Sequence, residues 1–300
     1  MFGKHTVKSF MKDFKIPGPV QRNDFLEYYI NTYDSVLDCK KYYDLFLNTI
    51  NKFENEDHFL GHRYKILENV VADITNNEAY KAFIEDKNLL NFQFFTNNIK
   101  GKNFYKTENA GKFYLSIDLR SGNFMALKHY DKSIVKDCET WEEYMKNFTE
   151  YEYFGFGKTF RQKVLGHLNV KRIMNYERIL LEEDIVKPIV DANILSVDAI
   201  VSHNFDEVVF EIDKNFDEKI IEIPEKFKND VHVEKFELEQ IKPYSMFVKK
   251  MENKIKFKGV NNNLFPQVFK HYMNLPLDDK DMYFVSDTGH LCKYVEKLEF

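Results

Sequence analysis

The chain has 300 residues, with 48 acidic and 43 basic side chains and a formal net charge of −5. That length supports a substantial buried core, and that charge excludes a protein that coats nucleic acid through bulk positive charge. Hydrophobic residues at 44% and charged residues at 30% exclude a disordered chain, and the three scattered cysteines, Cys39, Cys138 and Cys292, exclude a disulfide framework.

The cysteine usage predicts a reducing, cytoplasmic setting. No apolar run approaches the ~20 residues of a spanning helix, and the first residues lack the apolar centre of a signal peptide. No membrane partner is therefore expected. The abundance of Phe (29) and Tyr (18) beside many Lys, Asn and Ile fits an AT-rich genome. A phage or virus, acting in its host's cytoplasm, is one such source.

His5–Lys15 reads as a short basic amphipathic helix that Pro17-Gly18-Pro19 stops. From Phe25 to Phe53 apolar residues return every three or four positions, which predicts helix with a break near Asp38. His58–Ile74 and Glu78–Asp86 continue the helical pattern. His58 and His62 have the i, i+4 spacing of metal ligands, but no acid motif of a metalloprotease follows them. Leu89–Ala110 is mixed and polar and reads as a boundary. Lys112–Leu119 alternates as a strand, and helical spacing resumes over Arg120–Tyr130 and Thr140–Phe148. A longer helical pattern covers Lys158–Ile189, with breaks expected near Gly166 and Asn169. It carries Arg161, Lys163, Lys171 and Arg172, and Lys163, His167 and Lys171 would share one face.

Ile194–Ile212 reads as a hairpin: two runs rich in β-branched residues around the polar turn Ser202–Glu207. Strands are expected at Lys219–Ile223, Val231–Leu238, Ser245–Lys250 and Lys254–Gly259. A helix at Gln267–Met273 and a strand pair near Met282–Val285 and Leu291–Val295 complete the pattern. Asp278, Asp279 and Asp281 read as helix-capping or loop acids, and Trp141 as a core residue.

Two stretches carry chemistry. Asp118 closes a strand just before a helix, which gives a carboxylate a rigid base at the rim of a sheet. Asp206 and Glu207 sit where the hairpin re-enters a buried strand, and a desolvated carboxylate is costly unless something pairs with it. If the two strands are neighbours, Asp118 and Asp206 can hold Mg²⁺ or Mn²⁺, hard cations that bind through a few carboxylates and keep positions open for phosphates. The basic residues Arg161, Lys163, Lys171 and Arg172 would contact phosphate.

Ser116-Ile117-Asp118, with His129 downstream, resembles the first palm motif of family A DNA polymerases. His203-Asn204-Phe205-Asp206-Glu207, followed by an apolar strand, resembles that family's hairpin motif with two residues inserted after the His. Ile117–Gly122 equally resembles the first palm motif of reverse transcriptases. The resemblance covers roughly residues 112–212, and the two acids stand closer in sequence than in family A. For residues 111–213 it implies a palm-like antiparallel sheet with helices on one face. With the apolar periodicity of the flanking stretches this gives an α+β fold, a helical N-terminal region (1–110) before that core and a β-rich C-terminal region (214–300) after it. The resemblance implies metal-dependent nucleotidyl transfer, with nucleic acid and nucleotides as partners, Asp118 and Asp206 as metal ligands and Glu207 as a third catalytic acid. The same residues also fit a metal-dependent nuclease, a non-catalytic nucleic-acid-binding or assembly protein on a degenerate palm, and a scaffold whose acids are incidental.

Overall fold

The computed structural model describes residues 2–89, 92–96 and 104–300. Part of the polar boundary expected over Leu89–Ala110 lies outside the described residues.

The N-terminal region is helical: α1 (Lys4–Asp13), α2 (Asn23–Leu37), α3 (Lys40–Ile50), α4 (Glu56–Asn76) and α5 (Glu78–Glu85). The break expected near Asp38 is there, and Asp38 ends α2 in the left-handed conformation (φ 50, ψ 44). Asn55 and Asn77 cap α4 and α5, accepting hydrogen bonds from His58 N (2.9 Å) and Ala79 N (2.8 Å). The abundant aromatic residues make the core between these helices. Phe10, Tyr29, Tyr33, Phe46 and Phe59 are fully buried, and the rings of Phe10 and Phe46 stack at 4.7 Å. His58 and His62 part company. His58 pairs with Glu54, whereas His62 Nε2 lies 3.2 Å from Thr149 Oγ1.

One charged knot ties this helical layer to the rest. Asp13, at the end of α1, is 1% exposed. It accepts two bonds from the Arg63 guanidinium of α4 and one, at 3.0 Å, from the Tyr153 hydroxyl.

The chain continues through β1 (Phe113–Leu119), α6 (Gly122–Tyr130), α7 (Trp141–Met145), α8 (Tyr153–Phe156), α9 (Lys158–Leu165) and α10 (Val170–Ile179). A π-helical segment, Leu180–Val186, joins α10 to α11 (Lys187–Asp191). Then come β2 (Ile200–His203), β3 (Glu207–Ile212), β4 (Val231–Ile241), β5 (Met246–Lys250), β6 (Ile255–Lys258), α12 (Phe265–Tyr272), β7 (Tyr283–Val285) and β8 (Leu291–Lys293). Trp141 is buried, and Asp278 and Asp281 form a capping box.

The fold is α+β. Six antiparallel strands run in the order β2-β3-β1-β4-β5-β6, and β7 pairs with β8 in a separate ribbon. Strand β1 is central, with β3 on one side and β4 on the other. The division expected at 213 therefore falls inside a single sheet.

Side chains alternate between the two faces of this sheet. Leu115, Ile117, Leu119, Val208 and Phe210 face one way and pack with Leu180, Leu181, Ile185 and Val186. On the opposite face Tyr114, Val209, Phe236, Leu238 and Phe247 form an apolar patch with Phe104. Asp118, Glu207, Glu234 and Lys249 share that second face but line an open cleft.

Two expectations about strands change, and one about a helix face falls to a break that was itself expected. Lys219–Ile223 is not a strand but holds a single 3-10 turn at Glu218–Ile220, where Asp217 Oδ1 accepts from Lys219 N at 3.1 Å and Pro224 follows. The first hairpin strand is short, because Ser196 caps a 3-10 turn at Val197–Ala199. The long basic helix breaks as expected: α9 ends at Leu165 and Asn169 caps α10. The break removes the face that Lys163, His167 and Lys171 would have shared. Among the described residues no helix is long and apolar enough to cross a membrane.

Candidate metal and phosphate cleft

Strand β1 presents Asp118 at the end of the sheet because the next residues turn sharply. Ser121 takes the left-handed conformation (φ 56, ψ 43) and α6 starts at Gly122. A non-glycine residue held there is the kind of local strain that collects at working sites. Strand β3 begins one residue after Asp206. Asp118 pairs across the sheet with Glu207, and Leu119 N donates to the Asp206 carbonyl at 2.8 Å. The two aspartates expected as a pair thus stand at one end of two adjacent strands, and both line a cleft of ≈ 680 Å³.

Their electrostatics are those of crowded acids. Burial, then Glu207 and Asp206, raise Asp118 from 3.8 to about 7. Asp206 is exposed, yet the surrounding protein atoms, followed by Glu207, also raise it. Lys158 pulls both the other way.

Glu207 is differently placed. Its Oε1 accepts from Ser116 Oγ at 2.6 Å and from Lys249 Nζ at 2.9 Å. Burial pushes Glu207 up, but Lys249 and Ser116 outweigh it and hold the carboxyl below the usual glutamate range. The structure therefore occupies the residue expected as a third acid with an internal ion pair. Lys249 is 3% exposed, so the pair is a structural fixture of the cleft floor. Lys249→Met should destabilise the protein by about 1–3 kcal/mol at neutral pH, since it leaves Glu207 without its counter-charge. A depressed carboxylate stabilises above its unfolded pKa and loses that contribution as pH falls through its folded pKa. The destabilisation should therefore shrink towards acid pH. Urea midpoints of both proteins at neutral and acid pH check this.

The residue that sequence reasoning missed is Glu177, on α10. It is 4% exposed, its Oε1 has no hydrogen-bond partner, and burial followed by the nearby Asp206 raises it to about 8. Gly122 separates the two acids. A Cβ added there would lie 3.2 Å from Glu177 Cδ and 3.4 Å from Asp206 Cβ. A signal was present in the sequence: Glu177 lies four residues from both Ile173 and Leu181, so it interrupts an apolar stripe.

The expected phosphate contacts separate. Arg161 lies close enough to Lys15 to act on its charge. Lys163 and Lys171 are exposed and do not line the cleft. Arg172 donates to the carbonyls of Asp86 (2.6 Å) and Phe83 (3.3 Å) and thereby anchors the end of α5. The cations that do line the cleft are Lys15, Lys158, Lys249, Lys254, Lys256 and Lys258. His129, part of the sequence motif, lies 3.0 Å from Asp230, which also binds the buried Lys128 at 2.7 Å.

Among the described residues no group of three or more His, Cys, Asp or Glu side chains forms a metal cage. Two aspartates with an orphan carboxyl oxygen beside them still suit Mg²⁺, which is usually held by one or two carboxylates, waters and substrate phosphates rather than by an all-protein cage. Comparison with family models, with curated proteins and with solved structures finds no match to this chain.

Proposed function

We propose that this protein transfers a nucleotidyl group onto a nucleic acid at the Asp118–Asp206 pair, on a sheet of polymerase-palm type. The observation that carries the reading is the convergence of these two carboxylates, from adjacent strands, on one end of an antiparallel sheet that faces a lysine-lined cleft. Crowded like charges cost stability, and a divalent cation with a phosphate substrate offsets that cost.

Asp118 and Asp206 would hold Mg²⁺ or Mn²⁺. The bound cation would supply a lowered pKa for a hydroxyl group and charge neutralisation at phosphorus. In the transfer, the oxygen of a strand's terminal hydroxyl forms a bond to the α-phosphorus of a nucleoside triphosphate. The bond from that phosphorus to the bridging oxygen of the β-phosphate breaks, and pyrophosphate leaves with the electron pair. The hydroxyl proton passes to solvent. Asp118, ionised above about 7, is the group whose charge this arrangement requires. Glu207, Ser116 and Lys249 fix the floor beneath it.

The test is incorporation of a labelled nucleotide on a primed template with Mg²⁺ or Mn²⁺, run beside a cleavage assay without nucleotide. Metal-dependent extension is the expected result. Cleavage without extension would assign the same acids to a nuclease, and neither activity would overturn catalysis at this site.

A further inference from the structure

The six lysines of the cleft are not equivalent. Lys249 is bound to Glu207 at 2.9 Å and Lys256 to Glu234 at 2.6 and 2.7 Å. Lys15, Lys158 and Lys258 also line the cleft. Among the described residues none of these three forms an ion pair with a carboxylate. They come from separate parts of the chain: the loop after α1, the first residue of α9 and the last residue of β6. The fold therefore brings them to one cleft despite their mutual repulsion. Their environment records that repulsion. Partial burial, followed by the charges of Lys158, Lys258 and Arg161, lowers Lys15 to about 8. Burial and Lys249 lower Lys258 as well.

The backbone at Lys15 carries a second sign. Its φ is 51, in the left-handed region. The residue follows the end of α1, and Ile16 N closes back on the Met11 carbonyl at 2.8 Å. Helices usually give that position to Gly or Asn. Here a lysine occupies it, with its charge directed to the cleft.

We propose that Lys15, Lys158 and Lys258 form a subsite for the condensed phosphates of a nucleoside triphosphate, next to Asp118 and Asp206. The identity of the ligand rests on the transfer reading above, while the anion site rests on the lysines alone. Lys158 acts on the charges of both aspartates and Lys15 on that of Asp206. An anion held by the lysines therefore lies within reach of the acids. Ammonium groups gathered in one cleft without carboxylate partners suit charge concentrated on neighbouring phosphorus atoms. A nucleic-acid strand spaces its charges along its length, about one per 3.4 Å of rise on each strand, and suits a row of cations better than a cluster. Lysine serves phosphate as a point charge from any direction, so three flexible side chains can follow a polyphosphate that changes shape as it leaves.

The probe is inorganic tripolyphosphate, titrated calorimetrically in EDTA at low salt. Wild-type protein should bind it, and bind inorganic monophosphate far more weakly. Lys15→Ala, Lys158→Ala and Lys258→Ala should each weaken tripolyphosphate binding about tenfold, the loss of one charge-assisted contact. Lys163→Ala, outside the cleft, should leave it unchanged. Unaltered melting of the variants shows that they are folded. Wild-type protein that ignores tripolyphosphate, or a triple variant that still binds it, overturns the proposal. So does a single-stranded oligonucleotide whose binding falls in the three variants but is not displaced by tripolyphosphate, because the lysines would then track a strand. If wild-type protein shows no transfer while binding still follows the three lysines, the transfer reading fails and the anion subsite stands.

Discussion

Asp118→Asn should abolish metal-dependent nucleotide incorporation and, in the same protein without metal, raise the melting temperature. The two effects have one cause. The native site holds Asp118 at about 7, above its ordinary 3.8, so between those values the folded protein binds a proton that the unfolded chain has released. Folding stability therefore falls as pH rises from about 4 to about 7 and stays at the lower level above that. An amide of the same shape carries no charge to be desolvated or to face Asp206 and Glu207. The gain should be absent at strongly acid pH and complete above pH about 7. Its size should be about 1–3 kcal/mol once partial solvent screening is allowed for, or a few degrees of melting temperature for a chain of this length. The activity loss should be at least about a thousandfold, because the amide cannot neutralise a cation. Melting curves with and without Mg²⁺ at acid and neutral pH, beside primer extension, read both effects. A variant that is inactive but no more stable at neutral pH would show that the carboxylate is not strained in the native site.

The largest stability effect should come from the opposite side of the cleft. Asp13→Ala removes the acceptor for Arg63 and Tyr153 and leaves a largely buried guanidinium unpaired. Breaking a buried pair by removing one partner costs about 3–5 kcal/mol, a large part of the ~5–15 kcal/mol that holds a typical domain together. Arg63 also lies 4.4 Å above the Phe160 ring of α9, so the damage should spread from α1 to α4 and α9. Lys15 is two residues from Asp13 and Lys158 opens α9. Asp13→Ala should therefore lower the urea midpoint and weaken tripolyphosphate binding together. Asp13→Asn, which keeps the shape and part of the bonding, should do less of both. A normal urea midpoint in Asp13→Ala would mean that the knot is not what docks the helices.

Much of the fold was legible because its signals are local. The helices of the first 85 residues follow apolar spacing, Asp38 marks the break between two of them, and β1 shows as the alternation of Lys112–Leu119. Asp118 and Asp206 could be paired because each closes or opens a strand. Lys219–Ile223 misled because Asp217 and Pro224, which impose the turn, lie outside the β-rich run itself. The basic segment misled for a different reason. A helical wheel weighs Arg161, Lys163, Lys171 and Arg172 alike, whereas the break after Leu165 turns α10 so that Arg172 meets the carbonyls of α5. The ion pair of Glu207 could not be read from the sequence, because its partner, Lys249, comes from a strand more than forty residues later. The cleft lysines come from three distant segments, and nothing in the sequence brings Lys15 to Lys258.

Placing β1 between β3 and β4 also sets an order of events during synthesis. The strand that carries Asp118 leaves the ribosome well before either neighbour, and neither of its edges can be paired until Glu207–Ile212 and Val231–Ile241 have followed. The N-terminal helices, by contrast, can begin to pack their aromatic core from contacts among themselves. Long-range strand pairing is slow because the loop must close before any contact rewards it. For that interval β1 is a seven-residue, mostly apolar ribbon with both edges bare, the kind of segment that nascent chains misassemble through. The strand that anchors the chemistry is thus also one that must wait for later chain, and its aspartate meets Asp206 and Glu207 only when β3 arrives, some ninety residues on.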